Sequence, residues 1–315
     1  MIRLVNAAKA RSRAIAERAR LRYRWLDHLV RTHQRYRHCS GDRLAGAFTY
    51  FAFLSFFPLI ALAFSVFGYF AAARPEILTI LTKAIYAQLP GLAERLPLEQ
   101  IADARVPAGI IGLGGLLYAG LGAVDAMRYA LREIWMAGLP RHNPLVGRLR
   151  DLVTLLLVGV TALASVAVGG FATSATGTVT GWFGLAGSPW GGAAVWLAGL
   201  GAALLADLAI FLVLFGWLAA PSQPFGVVLR GALLGAAGFG LLKQLAVLLL
   251  AHTLRNPVYG TFAVVVGLLL WINLSARVVL YAAAWTATAM LGPPPTPTPA
   301  PWPVLPPRAR PAGPG

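Results

Sequence analysis

Three charged residues stand inside stretches otherwise apolar enough to cross a membrane: Asp207, Lys243 and Arg277. An unpaired charge at the bilayer centre costs at least about 2.5–3.5 kcal/mol on insertion scales, so these side chains should face a bundle interior and find partners. Counted from the cytoplasmic end of each span, Asp207 lies roughly 20 Å deep, Lys243 roughly 22–24 Å and Arg277 roughly 15–18 Å. Asp207 and Lys243 thus share a level near the midplane. Two kinds of chemistry suit the set. Asp207 can pair with Lys243 or with Arg277 and hold helices together. Alternatively, the spare positive charge lines a polar cavity that draws in an anionic head group or a carboxylate, with Asn273 one turn from Arg277 on the same wall. The excess of basic over acidic groups favours the anionic ligand.

Enzymatic chemistry has less to stand on. A ribonuclease needs metal-binding carboxylates and histidines, or an acid–base pair beside a phosphate. The eleven acidic residues are scattered, and His142 beside Arg141 is the one imidazole next to a basic loop. His28, His33 and His38 recur every five residues, which places them on no single helix face. The single cysteine, Cys39, excludes an internal disulfide and a thiolate metal cage. No GxxxxGK[ST] loop is present to hold a nucleotide. The expectation is a protein that is not an enzyme, takes no cofactor or metal and binds no nucleic acid.

The elements that must position these charges are membrane helices. The composition is 58% hydrophobic and only 12% charged, which no soluble domain of 315 residues carries. Leu44 to Ala73 runs thirty residues without a charge. Pro58 removes a backbone donor from it and tends to kink it, while Thr49, Tyr50 and Ser55 place hydroxyls around the kink. A second span starts at Val106, where Gly109, Gly112, Gly115, Gly120 and Gly122 allow close helix contact. Its helix continues through Asp125, Arg128 and Arg132; Asp125 and Arg128, three residues apart, share a face and can pair. The third span covers about Leu152–Ala172, the fourth Ala193–Ala219, the fifth Val227–Ala251 and the sixth Thr261–Met290. The expected fold is all-α: a polytopic membrane protein of six transmembrane helices.

Residues 1–43 form a basic arm with an amphipathic helix from about Ala8 to His38. On an anionic leaflet each arginine gains about 1 kcal/mol; equally, the arm serves only to hold the N-terminus inside. With no secretory signal ahead of Leu44, the first span is expected to act as a retained anchor. The stretch at about 75–105 is too polar to span and reads as two interfacial helices on the outer face. Residues 44–290 make up the membrane domain, and 291–315 a disordered proline-rich tail. The net charge of +16 sits mainly in the arm and in the Arg128–Arg150 and Arg230 regions. The positive-inside rule then puts both termini in the cytoplasm.

The chain also resembles the YihY/BrkB family of bacterial inner-membrane proteins. AGAFTYFAFLSFFPLIAL (Ala45–Leu62), AVDAMRYALREIWM (Ala123–Met136), RGALLGAAGFGLLKQL (Arg230–Leu245) and NPVYGTFAVVVGLLLWINLSARVVLYAAAW (Asn256–Trp285) carry the likeness. Ser55 with Pro58, Arg230-Gly231-Ala232, Tyr259-Gly260 and Trp271 are its specific anchors. The resemblance implies a six-helix inner-membrane protein. An old ribonuclease label attaches to the family, and so do suggested roles in serum resistance and in moving lipids or other solutes. One departure stands out: the family's usual glutamate near the end of the last helix falls at Ala284.

The reading that follows is a transporter or lipid-translocating protein for an anionic or amphiphilic substrate. Asp207, Lys243, Asn273, Arg277, Ser55 and Pro58 form its expected path, with Asp125, Arg128 and Arg132 at the inner mouth. Membrane lipids are the expected partners, their anionic head groups meeting the basic arm. The alternative is a non-transporting scaffold or envelope-assembly factor.

Overall fold

The structure, a computed structural model, describes residues 23–73, 105–137, 146–161, 163, 189–221, 223–253 and 260–291. The interfacial pair expected at about 75–105, most of the third span and the proline-rich tail lie outside them. Residues 31–289 belong to one compact unit; of the chain outside it the structure describes 23–30 and 290–291.

Every regular element among the described residues is helical. We number them α1 (Arg24–His38), α2 (Gly41–Ala73), α3 (Arg105–Trp135), α4 (146–161), α5 (Pro189–Leu212), α6 (Phe225–Thr253) and α7 (Gly260–Thr288). The last turns of α5 continue as a π-helix over Val213–Ala219. Five stretches are long and apolar enough to cross a membrane: Gly41–Val66, Val106–Trp135, Leu197–Ala219, Phe225–Ala246 and Val265–Thr288. These correspond to five of the six expected spans. Of the remaining one, expected at about Leu152–Ala172, the structure describes only the part that falls in α4 and residue 163.

The packed core lies at one end of the bundle, where α2 and α6 begin and α3, α5 and α7 end. Ala45, Leu131, Ile134, Phe215, Leu218, Ala232, Ala236, Leu280, Ala283 and Ala284 are fully buried there. Further along the same helices, large apolar side chains such as Ile110, Ile111, Tyr118, Leu205 and Leu241 are exposed. An apolar side chain left open on a helix with no polar face suits a lipid solvent, where exposure carries no hydrophobic penalty.

The most intimate helix pair is α2 with α3. The small residues Gly109, Gly112, Gly115 and Gly122 turn toward α2 and face Ser65, Leu62, Pro58 and Phe51 in antiparallel order. Pro58 lies within α2, and its ring packs against the gap left by Gly115. Without side chains on α3 the two backbones can touch, which replaces the hydrophobic drive that lipid does not supply.

Candidate functional site

Asp207 and Lys243 meet because α5 and α6 are joined by a short turn. Asp207 stands twelve residues before Ala219 and Lys243 eighteen residues after Phe225, about 18 and 27 Å along their helices. Side chains tilt toward the N-terminus of their own helix, so Lys243 leans back toward the turn and Asp207 away from it. The long lysine stem closes the remaining gap. Its Nζ donates to Asp207 Oδ2 at 2.6 Å. The carboxylate is shut in, with 7% of its side chain exposed, whereas 37% of Lys243 is open. Lys243 Nζ also lies 5.2 Å from the ring centre of Phe239, which in turn packs against Trp271 and Phe211. Of the two pairings open to Asp207, this is the one formed.

Arg277 has a different carboxylate. Its Nη1 lies 3.1 Å from Asp42 Oδ1 at the start of α2, and its Nε donates to Asn273 Oδ1 at 2.8 Å. Asn273 Nδ2 donates to Thr49 Oγ1 at 3.1 Å, and Thr49 donates onward to the Ala45 carbonyl. On the other side the Tyr36 hydroxyl donates to the same Asp42 oxygen at 2.9 Å. Burial, then the Asp42 hydrogen bond, pushes the Tyr36 phenol above its ordinary range. Tyr36 stacks on Tyr281 with ring centres 4.0 Å apart, and the Tyr281 hydroxyl and His33 Nδ1 are 3.0 Å apart. A continuous polar chain thus stitches α1, α2 and α7 together.

The expected path is therefore divided. Asp207 with Lys243 forms one site, and Asn273 with Arg277 belongs to the second chain. Ser55 and Pro58 join neither by any described contact: Ser55 Oγ donates to the Phe51 carbonyl in its own helix, and Pro58 faces α3. Asp42 and Tyr36 were not singled out from sequence. Asp42 is one of the acids among the many arginines of the basic arm, and its proximity to Arg277 arises only when α2 packs on α7.

Asp125, Arg128 and Arg132 do gather at one end of the bundle. Arg128 pairs with Asp125, reaches Asp151 Oδ1 at 3.0 Å and donates to the Gly147 carbonyl. Arg132 donates to the Ala219 carbonyl at 3.2 Å, and Arg150 donates to that of Trp217 while lying 5.4 Å over its ring centre. Helix C-termini leave carbonyls without partners. Here two arginines fill that role for the π-helical end of α5, where Ala220 (φ 43°) turns the chain in the left-handed region. Burial pushes the Asp151 carboxyl up to about 6; Arg128 and Arg150 pull it down and Asp125 adds to the rise. Asp151 was also missed in the sequence, since it follows a loop read only for its arginines.

With this geometry in place, comparison with known proteins decides the family. The model of the family described as virulence factor BrkB matches residues 32–302. The chain belongs to the BrkB family. It is 30% identical over 274 residues to an uncharacterized protein of Dickeya dadantii (strain 3937), covering 83% of each chain. It is 27% identical over 271 residues to the inner membrane protein YhjD of Escherichia coli (strain K12), covering 83% of this chain and 80% of that one. A UPF0761 membrane protein of Azoarcus sp. (strain BH72) is 26% identical over 78% of this chain and 59% of its own length. No solved structure matches the chain. As a BrkB-family membrane protein it departs from the glutamate expected above at Ala284, which is fully buried and whose carbonyl accepts from Thr288 Oγ1. A carboxylate at that position would enter the packed core.

Proposed function

We propose that this chain is an inner-membrane transporter or lipid-translocating protein that moves an anionic or amphiphilic substrate. It crosses the membrane six times with both termini in the cytoplasm, catalyses no covalent step, and has membrane lipids as its partners. The observation that carries the reading is Lys243. It is a cation within a stretch apolar enough to cross the membrane, with 37% of its side chain open, against an aromatic ring, and held by a carboxylate that is itself buried. A pair serving only to join two helices has no need of an open lysine. The inner-membrane placement draws support from the likeness to YhjD and from five apolar helices long enough to span.

One observation favours the alternative, a non-transporting scaffold or envelope-assembly factor: the fully buried core at the end of the bundle where the arm helix joins. Reconstituted liposomes decide between the two. With fluorescent anionic and zwitterionic lipids, the wild type is expected to move the anionic probe, and folded Lys243→Ala and Asp207→Ala variants are expected not to. Behaviour of all three like empty liposomes would leave the scaffold as the better reading for lipid.

A further inference from the structure

We propose that the Asp207–Lys243 pair is a proton-linked anion site, in which an incoming singly charged oxyanion takes Lys243 from Asp207 as the carboxylate takes up a proton. The idea rests on the transport reading in that an anion must reach the pair. It adds the class of ligand and the source of coupling.

The exposure of the two partners sets the order of events. An anion approaching the pair meets Lys243 first, because Asp207 lies behind it with 7% of its side chain exposed against 37% for the lysine. The other described charges of the three helices offer Asp207 no substitute. Among the described side chains of α5, α6 and α7 the other charged groups are Arg230 and Arg277. Arg230 stands thirteen residues before Lys243, about 20 Å along the helix, and Arg277 is engaged by Asp42 and Asn273. If Lys243 turned to an anion, Asp207 would be left as an unpaired buried carboxylate, the state that protein interiors avoid by neutralisation.

The exchange balances with one proton from water. Before it, the site holds a carboxylate and an ammonium; after it, a carboxylic acid, the ammonium and the anion. Net charge in the membrane is zero in both states. The Phe239 ring beside the lysine and the Trp271 ring packed against it supply an apolar surface that suits the part of an amphiphile next to its head group. The shared chemistry is a phosphodiester or similar oxyanion, from either a lipid or a free solute.

Proton uptake on binding tests this without requiring transport. The full chain in nanodiscs of zwitterionic lipid, in weak buffer with a pH indicator, is titrated with dihexanoyl phosphatidylglycerol in one arm and dimethyl phosphate in the other. Dihexanoyl phosphatidylcholine serves as the uncharged-net control. We expect about one proton taken up per anion bound, and an affinity that weakens about tenfold per unit rise in pH while Asp207 is ionised. Asp207→Asn should bind with no proton uptake and no such pH dependence, and Lys243→Gln should not bind. Asp207→Ser gives a second neutral variant should the first fail to fold. A response confined to the lipid arm identifies a lipid head group as the ligand, and one confined to dimethyl phosphate a free solute. Binding to the wild type without proton uptake, proton uptake retained in the neutral variants, or no binding in either arm overturns the proposal. Lipid movement without linked proton uptake would sink this inference and leave the transport reading standing.

Discussion

Gly112 lies so close to α2 that a β-carbon on it would come 2.7 Å from the backbone nitrogen of Leu62 and 3.0 Å from the carbonyl oxygen of Pro58. Neither atom belongs to a side chain that can rotate away. The two helices are in backbone contact at this level, and any side chain at position 112 must push them apart.

Gly112→Val should therefore destabilise the bundle by about 1–3 kcal/mol, the usual cost of forcing volume into a packed contact. Gly114, two residues on and so on the opposite face of the helix, has nothing within 4 Å of the same ideal atom. Gly114→Val is the matched control and should change stability only through helix preference, a gain of a few tenths of a kcal/mol because Val ranks above Gly in a helix. Thermal unfolding in detergent, followed by loss of the monodisperse peak, compares the two. Equal changes would mean that α2 and α3 do not touch at Gly112.

A second close approach couples α6 to α7. A β-carbon on Gly231 would fall 1.9 Å from Oγ1 of Thr286, a hydroxyl that is buried and bonded to the Ala282 carbonyl. Gly231→Ala should lower stability, and adding Thr286→Ala should recover most of the loss by clearing the space. A double variant as unstable as the sum of the singles would show that the clash is elsewhere.

Much of this fold could be read from the chain because membrane helices announce themselves locally. The uncharged run Leu44–Ala73 and the glycines from Gly109 to Gly122 mark both a span and its contact face within one segment, and the bundle uses both. The pairing of Asp207 with Lys243 was also within reach, since depth counted along two helices put them at one level. Arg277 was not. Its partner depends on which helix lies beside α7, and that is decided by packing between segments distant in sequence. Asp42 and Arg277 are separated by most of the chain, and no local pattern links an acid in a basic arm to a cation deep in the last helix. The same holds for Asp151, whose meaning comes only from Arg128 on another helix.

The division of the charges into two sites can be measured by double-mutant cycles. Asp42→Asn with Arg277→Gln should show coupling of up to about 1 kcal/mol, modest because both side chains are more than two-fifths exposed. Tyr36→Phe, which removes the second donor to the same oxygen, should cost about 1 kcal/mol on its own. Asp207→Asn with Arg277→Gln should be additive within about 0.5 kcal/mol. Coupling in the last cycle and none in the first would place Arg277 back with Asp207.

Asp151 gives the bundle a dependence on pH whose sign is unusual for a carboxylate paired with arginine. Arg128 stands 3.0 Å away, yet burial outweighs it and holds the folded-state value at about 6, against 3.8 for the free group. The folded protein thus binds this proton more tightly than the unfolded chain does. The contribution of Asp151 to stability is fully present below about pH 4 and is lost as pH rises toward and through 6. Asp151→Asn keeps the position uncharged throughout, while Arg128 retains Asp125 and the Gly147 carbonyl. The melting temperature of the variant minus that of the wild type should accordingly increase between about pH 4 and pH 7 and level off above that. A difference that decreases over this window would mean that Asp151 is held as a carboxylate by Arg128, and that the ion pair dominates over burial at this end of the bundle.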